Sequence, residues 1–456
     1  MTLDIRSLGK PGYKFTNWAT TYSCYPELYF EPETTDEIRQ ILAFAQKKGK
    51  KVKVVGNGHS PSDLACTTDF MISLKRYNRV LQVDKESRLV RVQGGCLIKD
   101  LNERILPANG LAFTVQGTVS DLTAAGVIST GTHGTGHDFG IISTFVREIE
   151  LMQASGEVLT ISRDLQNTDL FPAACVSLGA LGVILSVTFK CEAAFNLEQT
   201  QFPNSLNNVL ENLDEYVTGS DHFRFFYFPY TNSTLCFNAN RTSKPKNVKS
   251  SWFWETLVGY HIFQFFYWLG AFITALVPVV NRLLYRVIYA HKSEKVDRSD
   301  HIFNFNCLFK QYVSEWSIPR EKTSYVLKEI QKWIIDNNFP AHVPIEVRFV
   351  KGDDLYLSPA YGWKDTCYIN IIMYTPFNKI VPREKYWKAF EKIMSDVGGR
   401  PHWAKDHKYG REEFQNLYPQ FDTFCKIRER LDPNGMFLNS NLERVFGNSS
   451  NSIFKV

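Results

Sequence analysis

Val54-Val-Gly-Asn-Gly-His-Ser60 is the stretch whose residue types could most readily do chemistry. It follows Lys51-Val52-Lys53, so a short β-branched strand runs directly into two glycines one residue apart. Glycine tolerates φ > 0 and lets backbone approach a bulky ligand closely. Consecutive backbone N–H groups in such a turn form a concave anion site that suits a diphosphate. His59 stands at its lip, placed to donate a hydrogen bond, to act as a base, or to attach a cofactor covalently. An ordinary glycine-rich turn with a surface histidine would look the same at this length.

Two further stretches carry chemical potential. Residues 116–136 hold five glycines and many small hydroxyl side chains, interrupted by Val127-Ile128. Such a run suits backbone wrapped around a large flat ligand better than a flexible linker. Residues 343–350, Val-Pro-Ile-Glu-Val-Arg-Phe-Val, read as a strand in which Glu346 and Arg348 share one face and Ile345, Val347 and Phe349 the other. A solvent-facing edge is the common meaning of that pattern; inside a cleft it is a preorganised acid–guanidinium pair. Lys405 follows in Gly399-Arg-Pro-His402-Trp-Ala-Lys405.

The elements that must position these residues are legible in outline. Thr34 and Glu37 form a capping box ahead of Ile38, Ile41, Leu42 and Ala45 at helical spacing, and Gly49 offers a stop. Short strands are expected at 70–74, 80–83 and 89–92, a helix at 98–106, and a hairpin from 145–152 and 158–161 around Ser155-Gly156. An apolar glycine-containing run, 178–185, precedes a strand at 187–191. No G-x-G-x-x-G opens a helix, which disfavours a Rossmann dinucleotide fold. Beyond residue 195, strands are expected at 223–228 and 368–374, helices at 320–337 and 384–397, and a closing turn at 432–439.

Length and composition agree with a globular chain of two or three domains: 456 residues, 44% hydrophobic and 22% charged. A net charge of +5 without basic blocks gives no reason to invoke nucleic acid. Nine scattered cysteines, never spaced C-x-x-C, argue against a zinc site or a disulfide scaffold, so no metal is expected. The first residues contain no apolar run of the secretory type.

The segment 252–289 is strongly aromatic, and Thr256 through Asn281 contains no Asp, Glu, Lys or Arg. That length can reach across a bilayer as a helix, with Arg282, Arg286 and Lys292 as flanking cations. His261, Gln264, Gly259, Gly270 and Pro278 oppose a full span. Membrane attachment is expected, either spanning or lying in the plane of the interface; buried helices within a domain are the alternative.

Over essentially its whole length the chain resembles the aldonolactone oxidase group of the vanillyl-alcohol-oxidase type FAD enzymes. The resemblance rests on residues 55–60, on Gly131-Thr-His-Gly-Thr-Gly136, on Glu346-Val-Arg348, on His402-Trp-Ala-Lys405 and on Asp432-Pro-Asn-Gly-Met-Phe-Leu-Asn439, in that order. It implies an α+β fold with a two-lobed FAD-binding domain from residues 1–195, an α+β cap or substrate domain from 196–399, and a segment 400–456 that returns to the FAD domain. It implies FAD bound covalently through an 8α-histidyl bond to His59. Cofactor contacts are then expected from Val55, Gly56, Asn57, Gly58, His59 and Ser60; from Gly117, Thr118, Ser120, Asp121, Gly126, Ser129, Thr132, His133, Gly134 and Gly136; and from Gly182, Val183 and His402. Asn57 stands where the family often has glycine.

The activity implied is oxidation of L-gulono-1,4-lactone at C2 to a keto-lactone that becomes ascorbate, with oxygen reduced to hydrogen peroxide. Glu346, Arg348 and Lys405 are the catalytic candidates. Arg348 and Lys405 would stabilise developing negative charge, and the base is either Glu346 or Lys405. The implied location is the endoplasmic reticulum membrane. The competing readings are a related lactone or alditol oxidase, a dehydrogenase with another acceptor, and a membrane-anchored flavin-binding protein without activity. The intact His59, Glu346, Arg348 and Lys405 set speaks against the last.

Overall fold

The computed structural model of the protein describes residues 5–164, 169–247, 261–305 and 310–447. The capping box forms as its sequence dictates. The Thr34 side chain accepts from the Glu37 amide and the Glu37 carboxylate takes the Thr34 amide, opening the helix Thr35–Lys48. Ile38, Ile41, Leu42 and Ala45 are its buried face, and Gly49 ends it at φ 63°. The chain then enters the strand Val52–Val55, which leads into the glycine turn. That strand lies in a three-stranded parallel sheet in the order Leu28–Phe30, Phe70–Ser73, Val52–Val55.

A second, five-stranded sheet packs beside it in the order Val158–Ser162, Val146–Met152, Val183–Lys190, Leu89–Gln93, Val80–Asp84. The hairpin 146–162 pairs antiparallel as expected. The strand after the 178–185 run begins earlier than its sequence suggests, at Val183, because Leu178 and Gly179 turn at positive φ just before it. The expected helix at 98–106 is distorted, with a π turn over Leu101–Ile105 and Pro107 in its last turn.

The third sheet has eight strands in the order Ser293–Arg298, Asn196–Ser205, Ser233–Thr242, His222–Phe228, Ile345–Lys351, Asp365–Tyr374, Gln311–Pro319, Arg400–Pro401. The helices Thr323–Asp336 and Glu384–Ser395 cover one face with Val326, Leu327, Ile330, Phe390 and Met394. Ile345, Val347 and Phe349 belong to that core, so Glu346 and Arg348 turn to the opposite face.

The largest apolar core joins distant parts of the chain. It combines residues of the 89–191 region with Val350, Leu355, Leu357 and Tyr368, and with Trp403, Phe414, Phe421, Phe424 and Phe446 near the C-terminal end. The C-terminal turn also reaches the glycine-turn strand. The Val52 amide donates to the Met436 carbonyl at 2.8 Å, and the Asp432 carboxylate holds the turn by accepting from the Met436 and Phe437 amides.

The aromatic segment is only partly within the described residues; 252–260 lie outside them. From 261 onward it forms two short helices, Phe263–Gly270 and Leu276–Leu284, and a π turn Tyr285–Tyr289. No helix among the described residues is long and apolar enough to cross a membrane. The spanning form of the expectation is therefore corrected for these residues: the chain turns back between Ala271 and Ala275. Phe263, Tyr267, Val277 and Val280 pack against Phe228, Val313, Val343 and Ile372. The Tyr267 hydroxyl donates to Asn281 at 2.6 Å, and Asn281 donates to the Ala341 carbonyl at 2.9 Å. The outer face leaves Phe265, Phe272, Ile273, Val279 and Leu283 exposed.

Candidate active site

A cavity of about 440 Å³ runs between the glycine turn and the open face of the eight-stranded sheet. Its first wall is backbone. Gly56 sits so close to Thr123 that an added Cβ would lie 2.2 Å from Oγ1, and Gly58 turns at φ 69°. The Asn57 side-chain amide donates to the Asp121 carbonyl at 2.9 Å and ties this turn to the next loop. Residues 116–136 are not coil throughout. Thr123 caps a short helix, Ala124–Ser129, by accepting from the Gly126 amide.

Val55, Gly56, Asn57, Gly58, His59, Ser60, Gly117, Thr118, Gly126, Ser129, Thr132, His133, Gly182 and His402 line the cavity together with Glu346, Arg348 and Lys405. Five expected residues do not. Ser120 and Asp121 spend their carbonyls on Lys99 and Asn57. Gly134 is glycine because an added Cβ would lie 2.4 Å from the Gln116 carbonyl oxygen, and Gly136 because its φ is 142° and an added Cβ would meet Phe139 and the Asp221 carbonyl. Val183 is a core residue paired with Met152.

The second wall is set by strand register. Phe226, Glu346, Asn370 and Glu315 lie in one cross-strand row, since Glu346 pairs with both Phe226 and Asn370, and Asn370 pairs with Glu315. The next row is Arg224, Arg348, Tyr368 and Ser317. On the other side Val313 pairs with Ile372, and Phe228, Phe263 and Tyr374 extend an apolar surface.

Glu315, absent from the sequence reading, is the centre of this wall. Its carboxylate is 2% exposed. Arg348 Nη2 donates to Oε1 at 2.7 Å, Lys405 Nζ lies 3.5 Å from Oε2, and His133 Nε2 lies 3.1 Å from Oε1. Burial pushes its pKa up, but Arg348, then Lys405 and His133, outweigh burial and hold it well below the ordinary carboxylate range. His133 stacks on Tyr368 with ring centroids 3.5 Å apart, and burial, with Arg348 adding to it, lowers its pKa against the opposing pull of Glu315. His402 donates its amide to the Glu315 carbonyl, and burial lowers its ring to about 3. His133, Glu315 and His402 could geometrically face one ion. Two cations already neutralise that carboxylate, which opposes a divalent metal there.

Glu346 is different. Its Oε1 is buried 3.6 Å from Arg224 Nη1 and 3.7 Å from Arg348 Nε, without a hydrogen bond. Asn370 Oδ1, beside it in the row, is also buried and unsatisfied. Arg224 is held by the Phe237 and Phe305 rings at 4.7 and 4.4 Å, and burial lowers its pKa to about 10. At the other end of the cavity, buried Lys53 has the Leu178 carbonyl at 3.3 Å, and burial lowers its pKa to about 7. Such an amine favours an incoming anion. His59 stacks on Trp18 with centroids 5.7 Å apart.

Comparison with known proteins adds independent findings. Residues 187–445 match the family model for D-arabinono-1,4-lactone oxidase, and residues 26–162 match that for an FAD binding domain. The chain is 51% identical to L-gulonolactone oxidase of Scyliorhinus torazame and 47% identical to that of Bos taurus, covering in both cases 96% of this chain and 99% of the relative. It is 36% identical to L-gulono-1,4-lactone dehydrogenase of Mycobacterium tuberculosis, over 95% of this chain and 99% of the relative. A solved structure of cholesterol oxidase from Brevibacterium sterolicum superposes with a TM-score of 0.78 at 14% identity, over 95% of this chain and 96% of that one. This last likeness concerns the fold.

The buried histidines give a pH dependence. His342, which accepts from the Tyr374 amide at 2.9 Å, is lowered by burial to about 3 from an ordinary 6.5. The unfolded chain therefore binds its proton first. The stability is fully present above about pH 6.5 and is lost as pH falls toward the folded value. Chemical denaturation between pH 7 and 4 should show falling stability, and His342→Asn should flatten that limb by at most about 1.4 kcal/mol per pH unit. An unchanged slope in the variant would show that His342 does not titrate this way.

Proposed function

The chain belongs to the D-arabinono-1,4-lactone oxidase family of FAD-dependent aldonolactone oxidases, and from that premise we propose that it oxidises L-gulono-1,4-lactone at C2 to the keto-lactone that becomes ascorbate, with oxygen as acceptor. The observation that carries this reading is the cross-strand row of Glu346, Asn370 and Glu315 facing a glycine-lined cradle across one cavity. FAD, when bound, supplies the hydride acceptor and passes the electrons on to oxygen.

The residues present fit that cofactor. The turn at 56–60 offers backbone where a Cβ would collide, and the buried Lys53 amine donates to the Leu178 carbonyl with no acidic side chain in salt-bridge contact among the described residues. His59, at the end of the turn, is the residue we assign to covalent attachment; burial lowers its pKa and leaves the ring neutral, the form in which a nitrogen can bond to carbon. Residues 1–195 with 400–456 make up the FAD-binding unit in this reading, and 196–399 the cap.

For the reaction itself, the chain must hold the lactone, take up a hydroxyl proton and balance the charge that appears. Glu346 has a buried carboxylate oxygen free of hydrogen bonds, and we assign it the substrate hydroxyl and its proton. Asn370 completes the grip on a neighbouring hydroxyl. Arg348 bridges Glu346 and Glu315, so it stays fixed while charge develops beside it. Lys405, paired with Glu315, adds a second fixed cation instead of serving as the base. A neutral, polyhydroxylated ring needs this kind of pocket: charges balanced within the protein and single oxygens left open. The relative named as a dehydrogenase marks the alternative, the same oxidation with a different acceptor.

The helical pair 263–284 is the surface we assign to membrane contact, lying in the interface plane, in the endoplasmic reticulum by family likeness. Its exposed Phe265, Phe272, Ile273, Val279 and Leu283 support this, with Phe377 and Ile380 exposed beside them.

Three outcomes are expected. Under anaerobic conditions L-gulono-1,4-lactone should bleach the flavin, and Glu346→Gln or Arg348→Leu should slow that reduction by about 10²-fold or more while FAD stays bound; rates near wild type would remove both residues from the mechanism. After acid precipitation, flavin should stay with the wild-type pellet and leave the pellet of His59→Ala; flavin retained by that variant would place the bond elsewhere. The protein should float with phospholipid vesicles, and Phe272→Glu with Ile273→Glu should release it; flotation unchanged in that double variant would exclude this surface.

A further inference from the structure

Six of the eight cysteines among the described residues are buried; Cys24 and Cys66 are partly exposed. These two meet. Cys24 lies in the strand Ser23–Cys24, which pairs with Phe15–Thr16, and Cys66 caps the 3₁₀ turn Asp63–Ala65. The Thr67 amide, on the residue after Cys66, donates to the Cys24 sulfur at 3.4 Å, which brings the two cysteines side by side. A backbone donor on that sulfur stabilises negative charge there, as a thiolate requires. Cys66, one residue before that amide, supplies the neighbouring thiol.

We propose that Cys24 and Cys66 are a peroxide-reactive dithiol, with Cys24 the attacking sulfur and Cys66 the resolving one. The Cys24 thiolate attacks one oxygen of hydrogen peroxide and the O–O bond breaks. The departing hydroxide takes a proton to become water, leaving Cys24 as a sulfenic acid. The Cys66 sulfur then attacks the Cys24 sulfur, its thiol proton leaves with the sulfenic oxygen as a second water, and an S–S bond forms. Two thiols and one peroxide give one disulfide and two waters.

The electrostatics agree with this direction. The neighbouring Cys66 thiol is the largest influence on Cys24 and lowers it to about 7, whereas Cys66 itself is raised, first by Cys24 and then by burial. The low-pKa member of such a pair is the one that reacts first.

The position links the pair to the active cavity. Leu64 and Ala65, in the turn that Cys66 caps, line the cavity. Asn439 holds this turn from the far end of the chain, donating to the Leu64 and Cys66 carbonyls at 2.9 and 2.8 Å. A bridge from Cys24 to Cys66 closes a ring that contains the whole glycine turn at 56–60. Peroxide made in the cavity is therefore produced beside the dithiol; that source, though not the dithiol itself, rests on the oxidase reading above.

The test uses the reduced, desalted flavoprotein, with free thiols alkylated under denaturing conditions and located by peptide mapping. Reagent hydrogen peroxide without lactone should remove two alkylatable thiols and yield one bridged peptide, Cys24 to Cys66, in wild type. In Cys66→Ser, dimedone should label Cys24; in Cys24→Ser it should leave Cys66 unlabelled. L-gulono-1,4-lactone in air should produce the same bridge in wild type, and catalase should prevent it. Both cysteines still alkylated after reagent peroxide, or label on Cys66 in Cys24→Ser, would overturn the proposal. A bridge formed by reagent peroxide but not by lactone turnover would uphold the dithiol and overturn the oxidase as its peroxide source.

Discussion

A buried carboxylate is tolerable only when its charge is answered, and Glu315 is answered three times. Arg348, Lys405 and His133 reach it from three separate stretches of the chain. Removing a charge from water costs several kcal/mol unless partners and hydrogen bonds replace the lost hydration. Each of these partners is therefore held where it stands. Arg348 is fixed toward the cavity, and its other edge is left for Glu346. His133 is pinned against Tyr368, which orients the glycine-rich loop that carries it. Lys405 brings the C-terminal segment onto the open face of the eight-stranded sheet.

Sheet register then does the fine placement. Side chains directly opposite on adjacent strands stand about 5 Å apart. Three strands in antiparallel register place Glu346, Asn370 and Glu315 in line, with Arg348 one row away and an apolar row on the other side. The opposite wall is made differently, from backbone that approaches closely because Gly56 has no Cβ and Gly58 accepts positive φ. One wall supplies charge and hydrogen-bonding oxygen, the other supplies amides and space. A large cofactor and a small polar substrate fit between surfaces of such different character.

Much of the local structure was readable before the fold was known, because it depends on neighbours in sequence. The Thr34 capping box, the Gly49 stop, the 146–162 hairpin and the split faces of the strand at Glu346 are of this kind. Glu315 was not readable. In Gln311-Tyr-Val-Ser-Glu-Trp-Ser-Ile-Pro319 it shares a face with Val313 and Ser317, and a lone acid in that pattern normally faces water. Only its partners, 33 residues on at Arg348 and far back at His133, show that the face is buried. Asn370 and Arg224 escaped for the same reason. Gly134 and Gly136 lie outside the cavity lining, and a glycine required by backbone packing looks in sequence like a glycine required by a ligand. The aromatic run suggested a span by composition, whereas its paired short helices follow from Tyr267 and Asn281, whose hydrogen bond closes the hairpin against Ala341.

The claim that Glu315 and Arg348 act as one charged unit is open to direct measurement by a double-mutant cycle. Glu315→Gln, Arg348→Gln and the combined variant would be compared with wild type by the anaerobic rate of flavin reduction by L-gulono-1,4-lactone, each protein verified as folded and carrying FAD. A shared ion pair makes the two changes non-additive, so the double variant should be no slower than the slower single one, with a coupling of about 1–3 kcal/mol. Rate losses that simply multiply, or a Glu315→Gln enzyme that is reduced as fast as wild type, would contradict the account.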